Sequence, residues 1–105
     1  MYLPDKYKDF SSKYPEIANL YNEIGTKVRE SGPLDEKTQN LIKLGIAVGS
    51  NSRGAVMSHT RKALNTGANK DEISHAIMLA LSTIGFPSMI AALNWANEVL
   101  ENTET

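Results

Sequence analysis

The stretch 40–67, NLIKLGIAVGSNSRGAVMSHTRKALNTG, decides how the rest of the chain is read. It begins as the most apolar run in the protein, with Leu41, Ile42, Leu44, Ile46, Ala47 and Val48 leaving hardly a polar side. That pattern predicts a helix enclosed on most faces. Gly45 and Gly49 lie one above the other on it. Glycine inside a helix costs about 1 kcal/mol against alanine, so the pair predicts points where neighbouring helices approach closely. A polar break at Gly49-Ser50-Asn51-Ser52 follows, and the chain resumes as a second helix beginning near Ser52. On that helix Ser52, Ala55 or Val56, His59 and Ala63 recur every three or four residues and share one face.

Two features of this stretch bear on chemistry, and each has a bland reading beside a functional one. His59 on a small apolar face is either a core or interface histidine with one hydrogen-bond partner, or a group that exchanges a proton near neutral pH. Ser52, Arg53 and Gly54 form a first helical turn, where unpartnered N–H groups and the helix dipole favour an anion. Arg53 adds a planar fork suited to a carboxylate. The alternative is that Ser52 is only an N-cap and Arg53 a solvated side chain. His75, between Ser74 and Ala76, reads as a solvated histidine on an outer face.

Outward from this stretch the chain reads as all-helical. A short helix is expected from Leu3 to Ser12, ended where Pro15 biases Tyr14 away from helical geometry. Pro15 suits the first turn of the next helix. Its apolar positions Ile17, Leu20, Tyr21, Ile24 and Val28 recur at helical spacing and predict one inward face. Ser31-Gly32-Pro33 breaks that helix, and Asp35 is placed to cap the following one. Beyond the central stretch, Gly67 fits a C-terminal position with positive φ, and Asn69 with Glu72 resembles a capping box. A fifth helix carries a stripe of Ile73, Ala76, Ile77, Ala80, Leu81 and Ile84, with Met78 and Leu79 outside it. Gly85-Phe86-Pro87 forces a break before a last helix from about Ser88 to Asn102. That helix is apolar over more than half its circumference, which predicts subunit contacts and a homo-oligomer. About six helices and a single domain over 1–105 are expected, with a short polar tail at Glu101 to Thr105.

Composition removes several classes of function. The chain has 105 residues, 41% of them apolar, and a formal net charge of −1 with scattered basic residues. No electrostatic footprint for nucleic acid or anionic lipid results. A domain this small buries only about two-thirds of its unfolded surface, so a buried site is expected to be shared with another subunit. No run is long enough to span a bilayer and the N-terminus has no apolar signal core, so the chain reads as soluble and cytoplasmic. There is no cysteine, which excludes thiolate nucleophiles and thiolate metal sites. His59 and His75 are sixteen residues apart, and no cluster has metal-ligand spacing.

The runs LDEKTQNLIKLGIAV, HTRKALNTGANKDEISHAI and IGFPSMIAALNWANEVL, taken in order, resemble the carboxymuconolactone decarboxylase family, the small all-helical proteins related to alkyl hydroperoxidase D. The resemblance spans roughly Leu34 to Leu100. It rests on His59-Thr60-Arg61, the Asn65-Thr66-Gly67 turn and Gly85-Phe86-Pro87. It implies an alkyl hydroperoxidase D-like fold assembled into a homohexamer or trimer. The peroxidase branch uses a glutamate, eleven residues, Cys-x-x-Cys, three residues and a histidine. Ending that motif on His59 places its positions on Asn40, Ser52, Ala55 and His59, so a peroxiredoxin-type mechanism is disfavoured. The decarboxylase branch, which lacks those cysteines, is the better likeness. It implies cofactor-free loss of CO₂ from 4-carboxymuconolactone or a related lactone or keto acid in aromatic catabolism. By this likeness His59 is the catalytic group, with Ser52, Arg53, Arg61 and Asn40 as substrate-binding residues of a small pocket at or beside a subunit interface. The glutamates that the decarboxylase pattern carries near Arg53 and Ala55 are missing here. A non-catalytic oligomer that binds a small organic acid is the competing expectation.

Overall fold

The computed structural model describes residues 5–102. They form α1 (Asp5–Lys13), α2 (Pro15–Arg29), α3 (Glu36–Gly49), α4 (Arg53–Asn65), α5 (Lys70–Met78), α6 (Leu81–Ile84) and α7 (Phe86–Asn102), and no strand occurs among them. The fold is all-α, as the periodicities imply. The expected starting residue of the first helix, Leu3, lies outside the described residues. The chain divides into two compact units, Met1–Pro33 and Leu34–Thr105.

In the first unit, Pro15 opens α2 as its first residue, where a missing N–H costs nothing. The Phe10 and Tyr14 rings meet with centroids 5.3 Å apart across the α1–α2 corner. Here one expectation is corrected. The α2 stripe does not pack inward: Ile17, Leu20, Tyr21, Ile24 and Val28 are all exposed, Tyr21 at 70%. Only Ala18 on this helix is buried.

Local chemistry sets the helix ends of the second unit. Asp35 Oδ1 accepts from Thr38 N at 2.8 Å and starts α3. Ser52 Oγ accepts from Ala55 N at 3.2 Å and starts α4. Gly67, at φ 101°, turns the chain out of α4 in a conformation that L side chains avoid. Asn69 and Glu72 make the full capping box that starts α5: Glu72 N donates to Asn69 Oδ1 (2.8 Å) and Asn69 N donates to Glu72 Oε1 (2.9 Å). The expected fifth helix is divided. At Leu79-Ala80 the chain tightens, Ala80 N bonding to Ile77 O three residues back, before α6 resumes it for one turn. Gly85, at φ 93°, then separates α6 from α7, which begins at Phe86 rather than Ser88.

α4 packs against both α3 and α7, and α5 closes the same core. Leu44, Val48, Val56, Ala63, Ile73, Ile77, Ala92 and Ala96 are among its buried members. Burying each of the larger side chains contributes about 1.5–3 kcal/mol relative to leaving it in water. Thr60 is the buried polar residue among them, and its hydroxyl is satisfied by donating to Val56 O at 2.7 Å.

α3 corrects two further expectations. It is not enclosed on most faces: Leu44, Ala47 and Val48 are buried, whereas Ile42 and Ile46 on the opposite side are exposed, Ile46 at 66%. Nor do Gly45 and Gly49 mark close helix approaches within the chain. A methyl group built on either would meet no atom within 4 Å. Both glycines, each costing about 1 kcal/mol in helix propensity, therefore face open space.

Candidate functional site

His59 sits in the middle of α4, one turn after Val56 and one before Ala63. Its imidazole is half-buried, and Nδ1 is shielded from water with no hydrogen-bond partner. Burial lowers the pKa of His59 below its ordinary value, and Lys62 and then Lys43 lower it further. All three act the same way, because burial penalises the charged form and the two ammonium groups repel it. The ring is consequently neutral at neutral pH, with two cations near it. Lys62 lies three residues on along α4, and Lys43 comes from α3, one turn after Asn40. Helical spacing signals Lys62, since i and i+3 share a face, whereas Lys43 reaches the ring from another helix.

Asn40 and Thr66 meet at a seam between α3 and the end of α4. The Asn40 amide donates to Thr66 Oγ1 at 3.1 Å, closing the seam at the start of α3 and the end of α4. Thr66 Oγ1 in turn donates to Lys62 O at 3.0 Å. Asn40 thus ties α3 to the end of α4.

The residues at the start of α4 are otherwise engaged. The Ser52 hydroxyl oxygen caps the helix. Arg53 forks onto Glu98 of α7, Nη2 lying 3.0 Å from Oε1 and 3.2 Å from Oε2, in an exposed pair. Arg61 is partly buried one turn after Met57 and Ser58. The structure therefore ties Asn40 to Thr66 at the end of α4 and gives Arg53 a carboxylate of its own chain. Among the described residues, no group of three or more His, Cys, Asp or Glu side chains comes together as a metal site.

A groove of about 610 Å³ opens elsewhere, along α3, α5 and α6. Leu41, Ile42, Leu79 and Ile84 line it together with the small Gly45, Gly49, Ala76 and Ala80. Thr38, Glu72 and His75 make one polar end. Glu72 there pairs with Lys37 at 2.7 Å, and that hydrogen bond, with the one from Asn69 N, holds its carboxyl below the usual range. His75 is exposed, as expected, but stands on the rim of this groove. None of Asn40, Ser52, Arg53, His59 or Arg61 lines it.

The described residues are all-helical, and their fourth helix carries a half-buried histidine in a chain without cysteine. The chain belongs to the carboxymuconolactone decarboxylase family, whose model matches residues 15–98. It is 27% identical over 94 residues to an uncharacterized protein of Methanocaldococcus jannaschii, covering 89% of this chain and 90% of that protein. A second uncharacterized protein of the same organism is 30% identical over 86 residues, covering 82% and 77%. The nitrosuccinic acid decarboxylase npaB of Metarhizium robertsii is 37% identical over 60 residues, which are 57% of this chain and 42% of the enzyme. No helix among the described residues is long and apolar enough to cross a membrane.

Proposed function

We propose that this chain is a cofactor-free carboxy-lyase acting on a small carboxylic acid, a lactone or keto acid, with His59 as the proton carrier. The observation that carries this reading is the half-buried His59, whose Nδ1 has no partner and whose charge is held off by burial and then by Lys62 and Lys43. A substrate carboxylate drawn to the two ammonium groups adds a negative charge beside the ring and raises its proton affinity. The imidazole takes up one proton as the acid binds. Loss of CO₂ breaks the C–C bond and leaves its electron pair on the conjugated carbonyl as an enolate. His59 then delivers its proton to carbon, so one carboxylate and one proton become one C–H bond and CO₂. The name of the npaB relative, a decarboxylase of a small dicarboxylic acid, supports the same class of reaction. The complete absence of cysteine opposes a peroxidase.

The second reading, an oligomer that binds a small acid without turning it over, is favoured by one observation. Asn40 and Ser52, at positions where the family's peroxidase branch carries a glutamate and a cysteine, are here tied up in a helix–helix hydrogen bond and a helix cap. Purified protein incubated with 4-carboxymuconolactone and with nitrosuccinic acid separates the two by CO₂ release and by ligand-dependent thermal shift. Turnover by the wild type that is lost in His59→Gln is the expected result. Thermal shifts without CO₂ support the binding reading, and neither effect overturns both.

A further inference from the structure

The groove along α3, α5 and α6 is lined from α3 by Thr38, Leu41, Ile42, Gly45 and Gly49. Those positions span eleven residues of one helix, so the groove is roughly 16 Å long. Its volume of about 610 Å³ lies within the ~300–1,000 Å³ of small-molecule sites. Glycine keeps it deep. Gly45 and Gly49 each weaken α3 relative to alanine, and a methyl group built on either meets no atom within 4 Å, so it would stand in the groove. We infer that this groove binds an uncharged, hydroxyl-bearing apolar molecule of about the size of an alkylphenol, its hydroxyl at the Thr38 and Glu72 end and its apolar body along Gly45 and Gly49.

The chemistry of the polar end selects the head group. Glu72 is held ionised by bonds from Lys37 and Asn69 N, and a carboxylate can only accept. Its oxygens offer about four lone-pair sites, and those two donors leave acceptor capacity over. The Thr38 side chain bonds to the Asp35 carboxylate, another pure acceptor, so its hydroxyl proton is committed and its oxygen is left to accept. Both groups therefore call for a donor. Charge complementarity excludes an ion. Lys37 lies 2.7 Å from Glu72, so the end carries a balanced pair, and a charged head meets one like charge while giving up its water. An uncharged hydroxyl donates its hydrogen bond without either cost. His75 lies on the rim of the same end. Away from it Thr83 is the one further polar residue among the lining, and Leu41, Ile42, Leu79 and Ile84 give the apolar body its contacts.

The test is titration of the full chain with 4-butylphenol, followed by backbone amide resonances, with circular dichroism as the control for folding. Saturable shifts at Gly45, Gly49, Ala76 and Ala80 are expected. 4-Butylanisole keeps the shape without the donor and is expected to bind roughly fivefold more weakly. 4-Butylbenzoate brings a charge and is expected to bind more weakly than the phenol as well. Gly45→Leu fills the groove; it also raises helix propensity, so loss of binding does not reflect loss of α3. G45L is expected to raise the dissociation constant for the phenol at least roughly tenfold. Shifts that do not saturate or that lie elsewhere, an anisole or benzoate that binds as tightly as the phenol, or an unchanged affinity in G45L each overturns the inference. A lower sedimentation mass for G45L than for the wild type gives the groove to a second copy of the chain and overturns it too.

Discussion

The Asn40 side-chain amide donates to the Thr66 hydroxyl at 3.1 Å, joining residues 26 positions apart across the seam between α3 and the end of α4. A partly buried neutral hydrogen bond of this kind contributes about 1 kcal/mol net. Asn40→Ala is expected to lower stability by that amount, read as a fall in the denaturation midpoint at unchanged m-value. A wild-type midpoint for the variant contradicts the assignment of Asn40 to the seam.

His59 makes stability depend on pH. Its folded pKa lies below the ordinary 6.5 of the unfolded chain, so between the two values the unfolded state binds more protons. The contribution of His59 is complete above pH 6.5 and is lost as pH falls toward the folded pKa. The melting temperature of the wild type is therefore expected to drop between pH 7 and pH 5 more than that of His59→Gln. Parallel curves for the two proteins refute this.

Glu72 holds two structures together and Lys37 one. Removing the carboxylate by Glu72→Ala loses the capping-box bond to Asn69 N and the pair with Lys37, whereas Lys37→Ala loses only the pair. The first variant is expected to be the less stable in urea titrations. Glu72 has a lowered carboxyl pKa, so its contribution is present above the unfolded value and disappears as pH falls through the folded one. Glu72→Gln is accordingly expected to flatten the acid limb of the stability curve.

Gly67 is held at φ 101°, where a Cβ is strained even though no neighbour crowds it. Gly67→Ala is expected to cost on the order of 1 kcal/mol or more, and Asn69→Ala, which removes the cap two residues on, about 1 kcal/mol. For a domain of this size each kilocalorie corresponds to roughly 4–8 °C in Tm, measurable by calorimetry.

Ile73 is fully buried among the core residues of α3, α4 and α7. Ile73→Ala is expected to cost about 2–5 kcal/mol. Ile46→Ala on the exposed side of α3 is expected to leave the unfolding free energy of the isolated chain within about 0.5 kcal/mol of wild type.

What the sequence disclosed, and what it withheld, divides along a physical line. Helix ends were legible because caps are made by residues two to five positions apart: Asp35 with Thr38, Ser52 with Ala55, Asn69 with Glu72, and the positive φ of Gly67 and Gly85. Which side of a helix is buried depends on residues far away in the chain. The apolar periodicity of α2 and α3 was therefore visible, while the exposure of Ile24 or Ile46 was not. The division at Leu79-Ala80 has neither proline nor glycine to announce it. His59 was legible as the notable residue of its helix. Lys43 was not legible beside it, since it reaches His59 only through the packing of α3 on α4.

The short α6 gives the second unit an uneven resistance to opening. Leu81, Ser82 and Thr83 stand in water, and the segment is a single turn whose start has no side-chain cap. Its amide protons are expected to trade with deuterium through local fraying alone. Those of Val56, Thr60, Ile73 and Ile77, at 0% exposure, are released only when the whole core opens. The chain between α5 and α7 thus works as a slack link joining two tightly held helices.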